Sequence, residues 1–178
     1  EAEQMQSLVG ALPLLAQTDE GAEKPPMERL DLTDLVEGEL LQFESVAFER
    51  GVELRSQLEP SVEIRGNVNR LRKLAGTLLD NACKYADEGG QVNVELRRSP
   101  RRVELAVRNT GFAIAPEDLP HVFDRFYRGD KARTRDEGGY GLGLAIARAI
   151  AEEHGGTLSA ASDEASGTTF TLALPVCE

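Results

Sequence analysis

The chain has 178 residues, 40% hydrophobic and 29% charged, which suits one ordinary globular domain with a short appendage. Its formal net charge of −11 argues against a nucleic-acid binder, because neutralising phosphates needs a basic surface. No apolar run approaches the roughly 20 residues that cross a bilayer. The opening Glu1-Ala2-Glu3-Gln4 lacks a signal-peptide pattern and reads like a cut inside a longer protein.

In chain order, Met5, Leu8, Val9, Leu12, Leu15 and Ala16 form a narrow helical stripe interrupted by Pro13, so residues 1–18 predict a short helix needing a partner. Residues 19–29, with Gly21, Pro25 and Pro26, read as a linker. Leu30-Asp31-Leu32 reads as a short strand, with Thr33 capping a helix that carries Leu35, Val36, Leu40, Phe43 and Val46 and ends at Gly51. Residues 52–58 and 62–64 look like strands paired around Glu59-Pro60-Ser61.

Residues 67–86 predict a long amphipathic helix with Leu71, Leu74, Leu78, Ala82 and Tyr85 facing the core. Residues 91–98 and 102–107 alternate as a hairpin turned at Ser99-Pro100. Periodicity fails over 109–141, the mark of a functional loop or lid. Leu142, Ala145, Ile146, Ala149 and Ile150 then mark a helix, and 157–161 and 168–174 two closing strands. The sum over 30–178 is an α/β fold, a two-layer α/β sandwich whose mixed, mostly antiparallel sheet is covered by helices on one face.

Cys83 and Cys177 fit neither a disulfide framework nor a zinc spacing, and only His121 and His154 accompany them. Reduced cytosolic thiols and no structural metal follow.

Four segments carry chemistry. Thr77, Asn81, Lys84 and Tyr85 lie on one line of the long helix, where an amide oxygen suits a hydrated magnesium ion and an ammonium suits phosphate. Asn109-Thr110-Gly111-Phe112-Ala113-Ile114 follows the hairpin and presents an amide fit to read a base edge, or serves simply as a turn. Val122-Phe123-Asp124-Arg125-Phe126-Tyr127-Arg128 concentrates aromatics in a chain with only 5% of them and reads as a plug fastening a loop. Gly138-Gly139-Tyr140-Gly141-Leu142-Gly143-Leu144 opens the last helix, where glycine permits close approach to N–H groups that favour phosphate; taken alone it is equally a hinge. Arg125, Arg128, Lys131, Arg133 and Arg135 crowd nearby, either a solvated loop or an attractor for a polyanion.

In this order the four segments resemble the catalytic, ATP-binding domain of sensor histidine kinases, within the superfamily that includes gyrase and MutL. The most specific pieces are Leu79-Asp80-Asn81-Ala82-Cys83-Lys84-Tyr85, residues 123–128, Gly139-Tyr140-Gly141-Leu142-Gly143-Leu144, and Gly167-Thr168. The resemblance implies a Bergerat-type fold with a mobile ATP lid, ATP and Mg²⁺ as cofactors, and a protein-histidine kinase. By the same resemblance Asn81 binds the metal, Lys84 and Arg128 meet phosphates, and Tyr85 lines the nucleotide. Asn109 reads adenine with Gly111, Ala113 and Ile114 beside it, and Thr168 lies behind the base. Phe123 and Tyr127 anchor the lid, while Gly139, Tyr140, Gly141, Leu142, Gly143 and Leu144 form the phosphate cradle. Residues 1–18 are then the tail of a dimerisation hairpin's second helix.

Three departures stand out: Asn109 replaces the usual Asp, Ala113 a usual glycine, and Thr77 a common second Asn. Neither His121 nor His154 has the setting of a phosphoacceptor. The expected partners are the protein's own phosphoacceptor hairpin, a response regulator, and a second copy in an intact, membrane-anchored homodimer with this domain in the cytoplasm. A degenerate nucleotide-sensing or scaffolding module, motivated by the three departures, and a domain without any nucleotide site are the competing readings.

Overall fold

The computed structural model describes residues 26–111, 113–127 and 141–177. Its elements follow as β1 (Glu28–Asp31), α1 (Leu32–Glu49), β2 (Glu53–Leu58), β3 (Glu63–Gly66), α2 (Val68–Tyr85), β4 (Gln91–Arg98) and β5 (Arg102–Asn109). A 3₁₀ turn (Leu119–His121), α3 (Gly143–Glu153), β6 (Thr157–Asp163) and β7 (Gly167–Pro175) complete them. The expected helix over 1–18 and the lid over 128–140 lie outside the described residues.

Five strands form one sheet in the order β2-β4-β5-β7-β6. Only β2 and β4 run parallel; the other neighbours are antiparallel. Period-two alternation builds the core. Val92, Val94 and Leu96 of β4, Val103, Leu105 and Val107 of β5, and Phe170, Leu172 and Leu174 of β7 are all buried. Leu71, Leu74, Leu78 and Ala82 close over them from α2, as predicted, with Ile146 and Ile150 from α3, whereas Tyr85, also expected there, is half-buried outside this cluster. Helices thus cover one face of a mixed, mainly antiparallel sheet, the expected α/β sandwich. α2 lies in the middle of the helical layer, touching α1 on one side and α3 on the other.

Two local expectations are corrected. Strands β2 and β3 do not pair with each other. β2 joins the main sheet beside β4, while β3 pairs antiparallel with β1 in a separate two-stranded sheet. The segment between them is fastened to the start of α1 instead: the Thr33 hydroxyl donates to the Glu59 carbonyl at 2.8 Å and accepts from Val62 N–H at 3.1 Å. Leu32 N–H donates to the Val62 carbonyl at 2.8 Å. Pro60 has no N–H to give a ladder, and Ser61 sits at φ 54, so the chain turns away there. Thr33 is therefore not the cap. Asp31 is, its side chain accepting from Thr33 N–H and Asp34 N–H, and Leu32 begins the helix.

A buried histidine ties the far ends of α2 and α3. His154 Nε2 accepts from Asn67 N–H at 3.0 Å, and Nδ1 lies 2.7 Å from the Ile150 carbonyl, so the proton sits on Nδ1. His154→Leu is expected to strand the Asn67 N–H and lower the unfolding free energy by about 2 kcal/mol, with His154→Gln recovering part of it. Denaturant titration measures both; a leucine variant as stable as the parent would refute the tie.

Glu39 is the buried carboxylate on α1, 5% exposed, with Oε1 3.2 Å from Arg72 Nε. Burial raises its pKa above the ordinary glutamate range, and Arg72 opposes this without cancelling it. A raised folded-state value means the folded chain favours the protonated acid, so stability is lost as pH rises through that value. Glu39→Gln should therefore stabilise the protein at neutral pH, by about 1 kcal/mol, and the gain should vanish below the ordinary glutamate range. Thermal melts across acid to neutral pH supply the comparison; a gain that persists in acid would contradict it.

Candidate functional site

The C-terminal half of α2, the end of β5, the start of β7 and the start of α3 converge on one region. Asn67 caps α2 by accepting from Arg70 N–H at 3.0 Å, and the helix runs unbroken to Tyr85. Thr77, Asn81, Lys84 and Tyr85 are all half-buried along its upper flank. The Thr77 hydroxyl donates back to the Lys73 carbonyl at 2.8 Å. Its methyl would meet a Cβ at Gly143 at 3.3 Å, which brings the start of α3 against α2 one turn below Asn81.

The end of β5 is held on three sides. Asn109 pairs with Thr168 across the β5–β7 ladder and is only 1% exposed. Its Nδ2 donates to the Thr110 carbonyl at 3.0 Å, which orients the amide and turns Oδ1 the other way. Thr110 N–H donates to the Gln91 carbonyl at 2.9 Å, and its hydroxyl accepts from Gln91 N–H at 2.8 Å. Gly111, at φ 127, lies so close to the C-terminus of α2 that a Cβ would stand 2.5 Å from the Tyr85 carbonyl oxygen. Only glycine fits this approach. Ile114 N–H donates to Ser162 Oγ at 2.8 Å, and Ser162 Oγ lies 2.7 Å from Thr168 Oγ1.

Among the described residues, no side chain caps the start of α3, which matters for anions. Leu142 occupies the cap position without any side-chain cap bond, and the first turn has no acidic residue. Ile146 N–H closes the first helical bond onto the Leu142 carbonyl at 2.9 Å, leaving the N–H groups of Gly143, Leu144 and Ala145 ahead of it. Those groups and the helix dipole favour a bound phosphate. Gly141 has φ 68, and a Cβ there would lie 2.6 Å from the Tyr127 carbonyl.

Of the three aromatics expected to form the plug, Phe123 and Tyr127 are fastened, whereas the Phe126 ring is 65% exposed on a backbone at φ 65. Phe123 meets the core residue Phe170 edge-on at 6.0 Å between ring centres, with the Arg148 guanidinium 5.8 Å from its own ring. Tyr127 donates its hydroxyl to Asp118. Phe126 N–H donates to the Gly141 carbonyl at 3.0 Å. The chain entering the 128–140 segment is therefore fastened to the chain leaving it.

The sequence profile described as histidine kinase-, DNA gyrase B-, and HSP90-like ATPase matches residues 66–178. The chain belongs to that ATPase family. It is 38% identical over 176 residues to the sensor-like histidine kinase SenX3 of Mycobacterium tuberculosis, covering 98% of this chain and 43% of SenX3. Against the sensor histidine kinase CusS of Escherichia coli it is 39% identical over 175 residues, 98% of this chain and 36% of CusS. The chain spans less than half the length of these curated relatives. Among solved structures, the mycobacterial sensor histidine kinase MprB superposes with a TM-score of 0.74 at 32% identity, over 84% of this chain and 98% of MprB's. Full-length ShkA in complex with AMPPNP shares the fold, with a TM-score of 0.84 at 24% identity over 98% of this chain and 36% of ShkA's.

As a domain of this ATPase family the chain binds ATP, and the residues described above fit a nucleotide. A buried amide stands at one end of the region, an uncapped helix start at the other, and Asn81 on α2 at the flank. The half-buried Asn81 offers one amide oxygen, a donor that fits magnesium, which keeps several waters and needs few protein ligands.

Asn81, Tyr85, Asn109, Gly111, Gly141, Leu142, Gly143 and Thr168 belong to the converging elements. Ala113 and Ile114 border them, Ile114 held through Ser162. Lys84 is less simply placed: it stands 5.6 Å from the Tyr85 ring centre and also walls a cleft of about 480 Å³ on the α1 side, with Phe48, Arg50, Cys83 and Glu88. It straddles the shoulder of α2 rather than continuing the Asn81 line. Arg128, Gly139 and Tyr140 lie outside the described residues. Ser162 is the residue sequence reasoning missed. Its one signal is positional, lying opposite Thr168 across the β6–β7 hairpin.

Proposed function

We propose that this domain binds ATP with Mg²⁺ and transfers the γ-phosphoryl group to a histidine on a dimerisation hairpin of the intact sensor kinase. The carrying observation is the pairing of Asn109, a buried amide fixed by its Nδ2 bond to the Thr110 carbonyl, with the start of α3, where the cap residue Leu142 makes no side-chain bond. Asn109 Oδ1 accepts from the exocyclic amino group of adenine, and Thr168 backs the base with Ser162 holding its hydroxyl. The N–H groups at Gly143 and Leu144 hold phosphate oxygens, with Gly141 and Leu142 allowing the backbone to come close. Asn81 supplies an amide oxygen to the metal shell, Tyr85 lines the nucleotide, and Lys84 and Arg128 meet phosphates with point charge and fork respectively. Phe123 and Tyr127 fix the segment that carries Arg128, Gly139 and Tyr140.

Bound magnesium supplies charge neutralisation for in-line phosphoryl transfer, which is mostly a matter of positioning. The chain's own part is to hold the triphosphate at a fixed angle to α3 while the acceptor imidazole is delivered by the hairpin. The intact protein is a membrane-anchored homodimer that passes the phosphoryl group to a response regulator. Support for this comes from the sensor kinases whose likeness covers nearly all of this chain. Among the described residues no helix is long and apolar enough to cross a membrane.

The test has two stages. Calorimetry with a non-hydrolysable ATP analogue should show binding that strengthens when Mg²⁺ is added. Mixing the chain with its hairpin and labelled ATP should then give acid-labile phosphohistidine. Binding without any transfer would leave an ATP-responsive scaffold and end the kinase reading; no binding at all would end both.

A further inference from the structure

The solvent face of α1 is unlike the rest of the surface. The helix carries Asp34, Glu37, Glu39, Glu44 and Glu49 and no Lys or Arg. Glu39 is buried and the other four are exposed. Asp34, Glu37, Leu41, Glu44 and Phe48 follow steps of three and four, so they fall on one line along the helix. On that line Leu41 is 68% and Phe48 85% exposed, two of the four exposed large hydrophobics among the described residues. A solvated helix face normally mixes charge signs, which gives opposite-charge pairs at this spacing. Here Asp34 and Glu37 repel one another, and no cation of α1 answers them.

The line does not end in bare solvent. Phe48 forms the rim of the cleft between the C-terminal ends of α1 and α2, whose wall joins apolar Val52, Cys83 and Ala86 to two cations, Arg50 and Lys84, and two carboxylates, Glu49 and Glu88. Two protruding apolar groups, a carboxylate fringe and a recess at one end are the parts of a helix-receiving surface.

We propose that this face docks a basic amphipathic helix of a protein partner. The partner presents an apolar seam that meets Leu41 and Phe48, about 10 Å apart along α1, with Lys or Arg on both flanks of the seam. Charge complementarity selects this occupant. A second copy of α1 brings the same carboxylates. The apolar stripe at Met5, Leu8, Val9, Leu12 and Leu15 comes with Glu1, Glu3, Asp19 and Glu20 and with no Lys or Arg before Lys24. Nucleic acid and anionic membrane are repelled outright. The docking face meets the nucleotide site only at Lys84, which walls the cleft, and the proposal does not rest on the nucleotide chemistry.

The probe is a synthetic amphipathic peptide of about five helical turns, with Leu on one face and Lys flanking it. Titrated into the isotope-labelled chain, it should shift backbone amide signals along α1 and around the cleft. The double variant Leu41→Ser/Phe48→Ser and the double variant Glu37→Lys/Glu44→Lys should each weaken it at least about tenfold, with melting temperatures unchanged because all four side chains are exposed. A peptide with Glu in place of Lys should not bind. Signals shifting evenly over the acidic surface, or undiminished binding to the serine variant, would reduce the interaction to bulk charge attraction and overturn the proposal.

Discussion

Asn81→Ala is expected to remove the magnesium-dependent increment of ATP-analogue binding, lowering affinity measured with Mg²⁺ by about 10- to 100-fold and leaving affinity without it nearly unchanged. The reasoning is geometric. Asn81 lies one turn above the contact between Thr77 and Gly143, where α2 comes against the uncapped start of α3. An amide one turn from that contact is the group expected to complete a hydrated magnesium shell near the phosphate-favouring N–H groups. Alanine is compatible with a helix interior and the site is only half-buried, so the fold should survive. Calorimetry with and without Mg²⁺ separates the outcomes. An equal loss in both conditions would assign Asn81 to packing rather than to the metal.

Gly167→Val should be the most damaging single change at the base end. Gly167 has φ 79, and a Cβ there would overlap the Asn109 carbonyl oxygen. Valine at positive φ is strained and cannot be relieved by a side-chain rotation, because the clash is with backbone. Relief requires the β5 and β7 ends to part, which moves Asn109 and Thr168, partners in that ladder. The expected cost is about 3 kcal/mol of stability, with adenine-nucleotide binding falling more than tenfold in the fraction that stays folded. Denaturant midpoints and calorimetry would show it; a variant with parental stability would mean that the strand ends are slack.

Helices α2 and α3 and the β4–β5 hairpin were legible because each has a long, clean period. The alternation of Val92, Val94 and Leu96 against Val103, Leu105 and Val107 leaves one buried face and therefore one register. The pairing of β3 was not legible. Four residues carry too little pattern to choose a partner, and the choice was made by Thr33, whose hydroxyl reaches Glu59 and Val62 from across the chain. The α1 cap was misread for a related reason: Asp31 and Thr33 are both good capping residues, and only the tertiary use of Thr33 leaves the role to Asp31.

At the candidate site, residues carried on regular elements were readable and residues recruited by register were not. Asn81 and the glycines at 141 and 143 announce themselves through their placement on or before a helix. Ser162 has no such pattern, since it matters only because Thr168 and the Ile114 N–H happen to meet it. Lys84 was read from helical spacing and from the resemblance, yet a long flexible stem lets the ammonium lean toward the α1 cleft as well.

The Phe126–Gly141 backbone bond has a consequence for the segment it brackets. Phe126 and Gly141 are held together at one neck, backed by Phe123 on Phe170. Whatever strain enters the chain between them reaches the sheet, α2 and the base-reading end only through that neck.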